Sequence, residues 1–261
     1  MISRSPRPDL RGLVLPVGLV IAAEFAVWTY GLRSDSIAAP SEVATAWFGA
    51  LIDGTLIAST VETLICALAG LTLGFSIGIV IGVMIGVFRL ADSLAEVTIE
   101  SVRPVPPVAL IPIALLIYGF GYRLEIAVVA FATIWPAMIF TRSAIRSITP
   151  RLFEVAAALD LSFRDKIFKI VIPAALPQIF VALRLSAAVS LIVAVTVEIT
   201  SNTIGLGHTM MEAQSSLHPD LMLAMLVWIG VIGWMLNQSM LQAQSRLFPY
   251  SVADFARGGA R

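Results

Sequence analysis

A long charge-free apolar run limits a chain more than any other feature, because a helix needs roughly 20 apolar residues to cross the hydrocarbon of a bilayer. This sequence contains four: Thr63 to Phe88, Pro104 to Tyr122, Ile126 to Thr141 and Leu221 to Ser245. A fifth, Gly12 to Leu32, is interrupted by Glu24 and ends with Trp28 and Tyr30, which suit an interfacial aromatic belt. A sixth, Ile179 to Ser201, carries Arg184 near its start and Glu198 near its end. Composition removes the soluble alternative: 58% of the 261 residues are hydrophobic and 13% charged, against about 25% charged in ordinary soluble domains. The chain therefore reads as one all-α integral membrane domain over 1–261. About six transmembrane helices are expected, at 12–32, 63–88, 104–122, 126–141, 179–201 and 221–245.

An even number of spans puts both termini on one side. Every basic residue except Arg33 and Arg123 falls on that side, counting Arg184 as snorkelling to it, so the positive-inside rule makes it cytoplasmic. Arg4, Arg7 and Arg11 before the first span resemble the start of a signal peptide. The apolar stretch that follows is longer than a usual h-region, so it is read as a membrane anchor. A net charge of zero disfavours a nucleic-acid partner held by a basic field. The single cysteine, Cys66, excludes an internal disulfide or a cysteine metal cage and reads as a packing residue. His208 and His218 have no Cys or Asp at metal spacing and read as polar loop residues, so no metal site is expected.

Several local signals carry chemistry or packing. Gly70, Gly74, Gly78, Gly82 and Gly86 recur every fourth residue and leave one helix ridge bare. Close packing within the chain or a dimer interface both follow from that. Gly74 to Gly78 fits the G-x-S-x-G hydrolase pattern around Ser76, but that pattern needs a strand, a sharp turn and a helix, whereas here it lies inside an apolar helix. Pro104, Pro106, Pro107 and Pro112 interrupt the backbone ladder of the third span. They either line a pathway, where broken membrane helices survive, or merely set a helix start and a kink.

The loop at about 142–178 is long for a chain of this kind. Thr149 with Pro150 predicts a first short helix to about Leu159. Ser162 and Asp165 predict a second, from Phe163 to Val171, ending before Pro173. Leu152, Phe153, Leu159, Leu161, Phe163 and Phe168 are apolar residues in a loop and need a cover, either the chain's own helix ends or a partner.

In this loop Glu154-Val155-Ala156, three residues, Asp160, nine residues and Ile170-Val171-Ile172-Pro173 resemble the EAA motif of ABC importer permeases. The spacing agrees throughout; Val155 replaces an alanine, and Asp160 replaces the glycine that makes the turn between two short helices. Aspartate is among the few non-glycine residues that tolerate a left-handed backbone. The Arg103 to Pro107 run, Gly119-Phe120-Gly121, Glu198 with Gly205-Leu206-Gly207, and a short outer helix expected around Pro40 to Gly54 resemble the nitrate, sulfonate and taurine branch. The resemblance runs from about Pro16 to Phe248.

What the resemblance implies is a permease subunit in a bacterial inner membrane, moving a small and often anionic solute delivered by an extracytoplasmic binding protein. It implies a second permease copy, expected to be identical, and two cytoplasmic ATPase subunits that carry ATP and Mg. The EAA-type loop would couple the ATPases to the membrane helices through Phe153, Glu154, Val155, Ala156, Asp160, Ile170, Ile172 and Pro173. Glu198, costly near membrane depth, and Pro106, Pro107 and Pro112 are pathway candidates. No catalytic residue or cofactor is expected in this chain: neither Lys166 nor Lys169 follows a glycine, so no Walker A cradle is present. Two other readings compete. A secondary transporter or channel normally carries paired ionisable groups in the membrane, for which Glu24 and Glu198 are available. An intramembrane hydrolase would use Ser76.

Overall fold

The computed structural model describes residues 11–30 and 37–248, and every regular element among them is helical. In chain order they are α1 (Arg11–Tyr30), α2 (Pro40–Ile52), α3 (Thr55–Val87), α4 (Arg89–Val102), a 3-10 turn (Pro107–Leu110), α5 (Ile111–Tyr118), α6 (Tyr122–Arg146), α7 (Pro150–Ala158), α8 (Phe163–Lys166), a π turn (Ile167–Val171), α9 (Ile172–Ser201), α10 (Gly205–Ser215) and α11 (Pro219–Leu247). The basic residues at 4, 7, 33, 257 and 261, and with them both termini, lie outside the described residues.

The bare glycine ridge settles the centre of the fold. On α3, Gly70 faces Val129, Gly78 faces Ala137 and Gly86 faces Ile145, so α3 and α6 run parallel with their backbones in close approach. A Cβ at Gly78 would sit 2.6 Å from that of Ala137, and one at Gly74 would strike the Ala130 carbonyl and the Thr133 hydroxyl. The stripe is thus a packing surface within the chain. Helix α9 runs antiparallel to both: Val193, Ala194 and Val197 pack with Leu124 and Val128 at one end, and Ala175 and Ile179 pack with Ala144 and Ile145 at the other. Helix α11 covers this core through Trp228, whose indole N–H donates to Thr60 (2.9 Å) and whose ring lies 5.4 Å from that of Trp47 on α2. Helix α1 exposes Val14, Leu15 and Leu19. It is tied to α2 by Glu24, which accepts from the Ser41 N–H (3.0 Å) and hydroxyl (2.8 Å).

Four described helices are long and apolar enough to cross a membrane: α3, α6, the continuous Phe163–Ser201 and α11. The expected third span, 104–122, is not one helix. Arg89–Val102 and Pro107–Tyr118 form a pair bent by 83°, and together they make a fifth candidate span. The reason is the proline run, which removes backbone donors and leaves Pro106, the residue before Pro107, in extended geometry (ψ 129°). The expected first span is apolar over Val14–Thr29, shorter than the rest.

Other boundaries moved because charges that end an apolar run find partners. Helix α3 starts at Thr55 rather than 63, carrying Glu62, which accepts from the Gly205 N–H (2.9 Å). Helix α6 extends from Tyr122 to Arg146 rather than 126–141, with Glu125 buried and Arg142 and Arg146 paired to Asp92. Between α2 and α3, Asp53 accepts from the Thr55 N–H (2.9 Å), which holds its carboxyl below the usual carboxylate range.

The loop expected over 142–178 is accordingly shorter. The second short helix does not stop before Pro173: α8 passes through the π turn into α9, with Pro173 at the second position of α9. The Ile172 N–H bonds the Ile167 carbonyl, five residues back, and this wider turn admits a proline ring that an α-helical ladder would reject.

Candidate functional site

The loop folds as two short helices with two faces. Helix α7 ends at a left-handed Asp160 (φ 47°), with the Leu161 N–H on the Ala156 carbonyl (3.1 Å) and the Asp160 N–H on the Ala157 carbonyl (3.1 Å). That is a Schellman stop, the geometry that usually takes glycine. Ser162 then caps α8, accepting from the Asp165 N–H (3.2 Å) and donating to its carboxylate (2.7 Å).

Toward the body, Ala156 is buried, and Phe153 packs on a cluster of Ala144, Ile145, Val171, Ala175 and Ile179. The Lys166 ammonium lies 5.0 Å from the centre of the Phe153 ring, a cation–π contact. Away from the body, Leu152 and Val155 on α7 and Leu159 at its C-cap form an i, i+3, i+7 stripe, 38%, 50% and 65% exposed. Glu154, Asp160 and Pro173 are exposed, while Ile170 and Ile172 are half-buried. Of the loop residues read from sequence, Phe153 and Ala156 thus serve the body, and Val155 with Leu152 and Leu159 forms the open apolar face.

An ion knot braces the same end. Asp92 on α4, nearly buried, is 2.6 Å from the Arg142 guanidinium and also pairs with Arg146, both on α6. Nothing local in the sequence points to this pairing, because Asp92 and Arg142 lie 50 residues apart.

The opposite end holds a buried polar knot around α10. The first three backbone N–H groups of α10 have no partner within the helix. They are received by three side chains: Gly205 by Glu62 (2.9 Å), Leu206 by Thr63 (2.9 Å) and Gly207 by Glu198 (2.8 Å). Negative charge at a helix N-terminus is favourable on dipole grounds as well. Thr63 also donates to Glu198 (2.6 Å), joining α3 to α9. Gly205 has a positive φ of 91°, and any Cβ there would strike the Glu198 carboxylate, so the backbone requires glycine. Asn202 donates to Glu125 (2.7 Å) and accepts from the Gly121 N–H (2.8 Å), which brings α6 and the α5–α6 turn into the same knot. The carboxyl groups of Glu125 and Glu198 meet inside it, against Cys66.

Glu198 is therefore 1% exposed and spoken for by two donors, rather than open to water at a helix end. Pro106 is exposed and Pro107 half-buried at the break between α4 and α5, and Pro112 is exposed in the first turn of α5. Glu62, Thr63, Glu125 and Asn202 escaped the sequence reading, since glutamates flanking charge-free runs look like interfacial residues. The available signal was Asn202, a polar residue just past the end of α9 and close in sequence to both Glu198 and Gly205. Ser76 donates to the Thr72 carbonyl (2.7 Å) on an exposed side of α3, without the strand-turn-helix setting of a nucleophile.

Comparison with known proteins agrees with this arrangement. Residues 74–249 match the family described as binding-protein-dependent transport system inner membrane component. An ABC transporter permease of Methanocaldococcus jannaschii is 31% identical over 201 residues, 77% of this chain and 75% of that protein. A protein of Escherichia coli strain K12 named as an aliphatic sulfonates transport permease is 32% identical over 219 residues, 84% of this chain and 83% of that protein. A solved structure of inward-facing conformations of the MetNI methionine ABC transporter superposes with a TM-score of 0.63 at 18% identity, over 71% of this chain and 92% of that one, which bears on the fold. The glycine-packed helices, the two-faced loop and these relatives converge: the chain belongs to the binding-protein-dependent inner membrane components, the permease subunits of ABC importers.

Proposed function

We propose that this permease works as a homodimer with both termini in the cytoplasm. Two ATPase subunits engage the loop of residues 150–171, and a binding protein delivers a small anionic solute on the other side. ATP hydrolysis belongs to the ATPases. The observation that carries the reading is the split of α7 into an inward face, Phe153 and Ala156, and an open apolar stripe, Leu152, Val155 and Leu159. A loop that seats Phe153 on residues of α6 and α9 and leaves an apolar face open suits transmission of a push from a docked subunit into those helices. Sulfonate-type anions suit the substrate class because a relative named for aliphatic sulfonates covers most of the chain.

The test is reconstitution in vesicles with the cognate ATPase and binding protein. Leu159→Glu is expected to lower co-purification of the ATPase and solute uptake together, by tenfold or more, while the thermal midpoint of the permease stays unchanged. Undiminished uptake and co-purification would overturn the loop's role.

The meeting of Glu125 and Glu198 supports a second reading, an ion-driven carrier. Both carboxylates are engaged by donors from neighbouring elements, which suits a fixed structural joint better than a moving ion site. Uptake that persists without ATP and collapses with the ion gradient would favour the carrier.

A further inference from the structure

Behind α7 and α8 the structure forms a half-open cavity of about 500 Å³, within the ~300–1,000 Å³ range typical of ligand pockets. Three cations line it from three different elements: Arg89 at the start of α4, Arg146 at the end of α6, and Lys166 in α8. Phe153, Phe163 and Val171 supply apolar wall, and no carboxylate lines it. The acidic groups nearby are already engaged: Asp92 with Arg142 and Arg146, Glu96 with Arg142, and Asp165 with Lys169. Among the described residues Arg89 has no ion pair.

Helix α3, whose Gly86 and Val87 line the cavity, also carries an apolar lane. Ile77, Val80 and Met84 recur along one side of α3 and are 40%, 68% and 49% exposed, and Phe88, 48% exposed, follows the end of the helix. The lane ends beside Arg89, the residue that follows Phe88. A hydrophobic lane leading to a cluster of cations at the end of a membrane helix is complementary to one kind of molecule, an anionic phospholipid. A free oxyanion would use the cations and leave the lane idle.

We propose that this cavity binds the phosphodiester headgroup of an anionic phospholipid, with Arg89 and Lys166 on the phosphate and an acyl chain along Ile77, Val80 and Met84. Guanidinium and phosphate form paired, charge-assisted hydrogen bonds. The bound lipid would join the α3–α4 junction, the end of α6 and α8, and so brace the loop on the body. The proposal needs only the membrane setting of the chain, not the coupling role proposed above.

The purified permease with its ATPase, stripped of lipid, is offered phosphatidylglycerol or phosphatidylcholine at equal concentration, and retained lipid is counted by native mass spectrometry. Phosphatidylglycerol is expected to be retained at least tenfold better, and the preference to fall tenfold or more in Arg89→Gln/Lys166→Gln. Arg123→Gln, at the other end of α6, should leave it intact. If the double variant fails to assemble, Arg89→Gln alone, at an exposed side chain, gives the same reading. Equal retention of the two lipids, or a preference that survives the cavity variants, overturns the proposal. Stabilisation by inorganic phosphate at the same concentration, without lipid preference, assigns the cavity to a free oxyanion and overturns the lipid. Because retained lipid is the readout, failure here leaves the coupling reading standing.

Discussion

The Gly207 N–H donates to Glu198 Oε2 at 2.8 Å, and this bond fastens the start of α10 to the end of α9. Thr63 and Glu62 on α3 receive the two preceding N–H groups, so a single buried corner holds three helices in register. Backbone donors at a helix start must be satisfied somewhere, and here side chains from other helices do it.

Replacing Glu198 with alanine leaves the Gly207 N–H and the Thr63 hydroxyl without that acceptor in a buried site. A buried group stripped of its partner costs about 1–3 kcal/mol. Glu198→Ala should lower the thermal midpoint of the purified permease measurably. Glu198→Gln, which keeps one acceptor oxygen, should lose less. Equal midpoints for wild type and Glu198→Ala would deny the corner its structural role.

Gly74 and Gly230 should respond to alanine in opposite ways. A methyl at Gly74 strikes the Ala130 carbonyl and Thr133, whereas a Cβ at Gly230 has nothing within 4 Å. Forcing α3 off α6 is expected to cost about 1–3 kcal/mol, while Gly230→Ala in the middle of α11 should gain about 0.5–1 kcal/mol from helix propensity. Paired unfolding curves in detergent check the two signs.

Asp160 holds a positive φ that glycine adopts freely. Asp160→Gly is expected to stabilise the loop, by no more than the ~1–2 kcal/mol that a left-handed backbone costs an ordinary residue. Asp160→Val should do the opposite, since a β-branched side chain resists that geometry. Hydrogen exchange at the Leu161 amide, which closes the turn onto Ala156, reports both directions.

Phe153→Arg and Val155→Arg separate the two faces of α7. The first buries a charge against Ile145 and Val171 and should destabilise the permease itself, whereas the second adds a charge to an exposed stripe and should spare stability. Thermal midpoints of the isolated permease distinguish them; an equal loss in both would mean that the faces are not distinct.

Asp92→Asn removes the shared carboxylate charge between Arg142 and Arg146. Hydrogen bonds to charged groups contribute about 1.5–3 kcal/mol, and the guanidiniums still reach solvent, so the lower end is expected. Because Asp92 is nearly buried, the loss should persist in high salt, where surface pairs are screened.

The legible part of this protein was local. Uncharged runs, a four-residue glycine period, Thr149-Pro150, Ser162-x-x-Asp165 and the register from Glu154 to Pro173 each act within a few turns of helix, where side-chain spacing and backbone propensity decide the outcome. They placed four long apolar helices, the starts of the two short helices of the loop and the left-handed turn at Asp160. Tertiary structure decided what depends on distant partners. It turned Phe153 inward and left Leu159 outward, and it bent the chain at the prolines instead of threading one straight span. It drew Glu62, Glu125 and Asn202 into the corner with Glu198. The physical reason is that a polar or charged group flanking an apolar run has two low-energy fates, water or a buried partner. The choice between them rests on which helix comes to lie beside it.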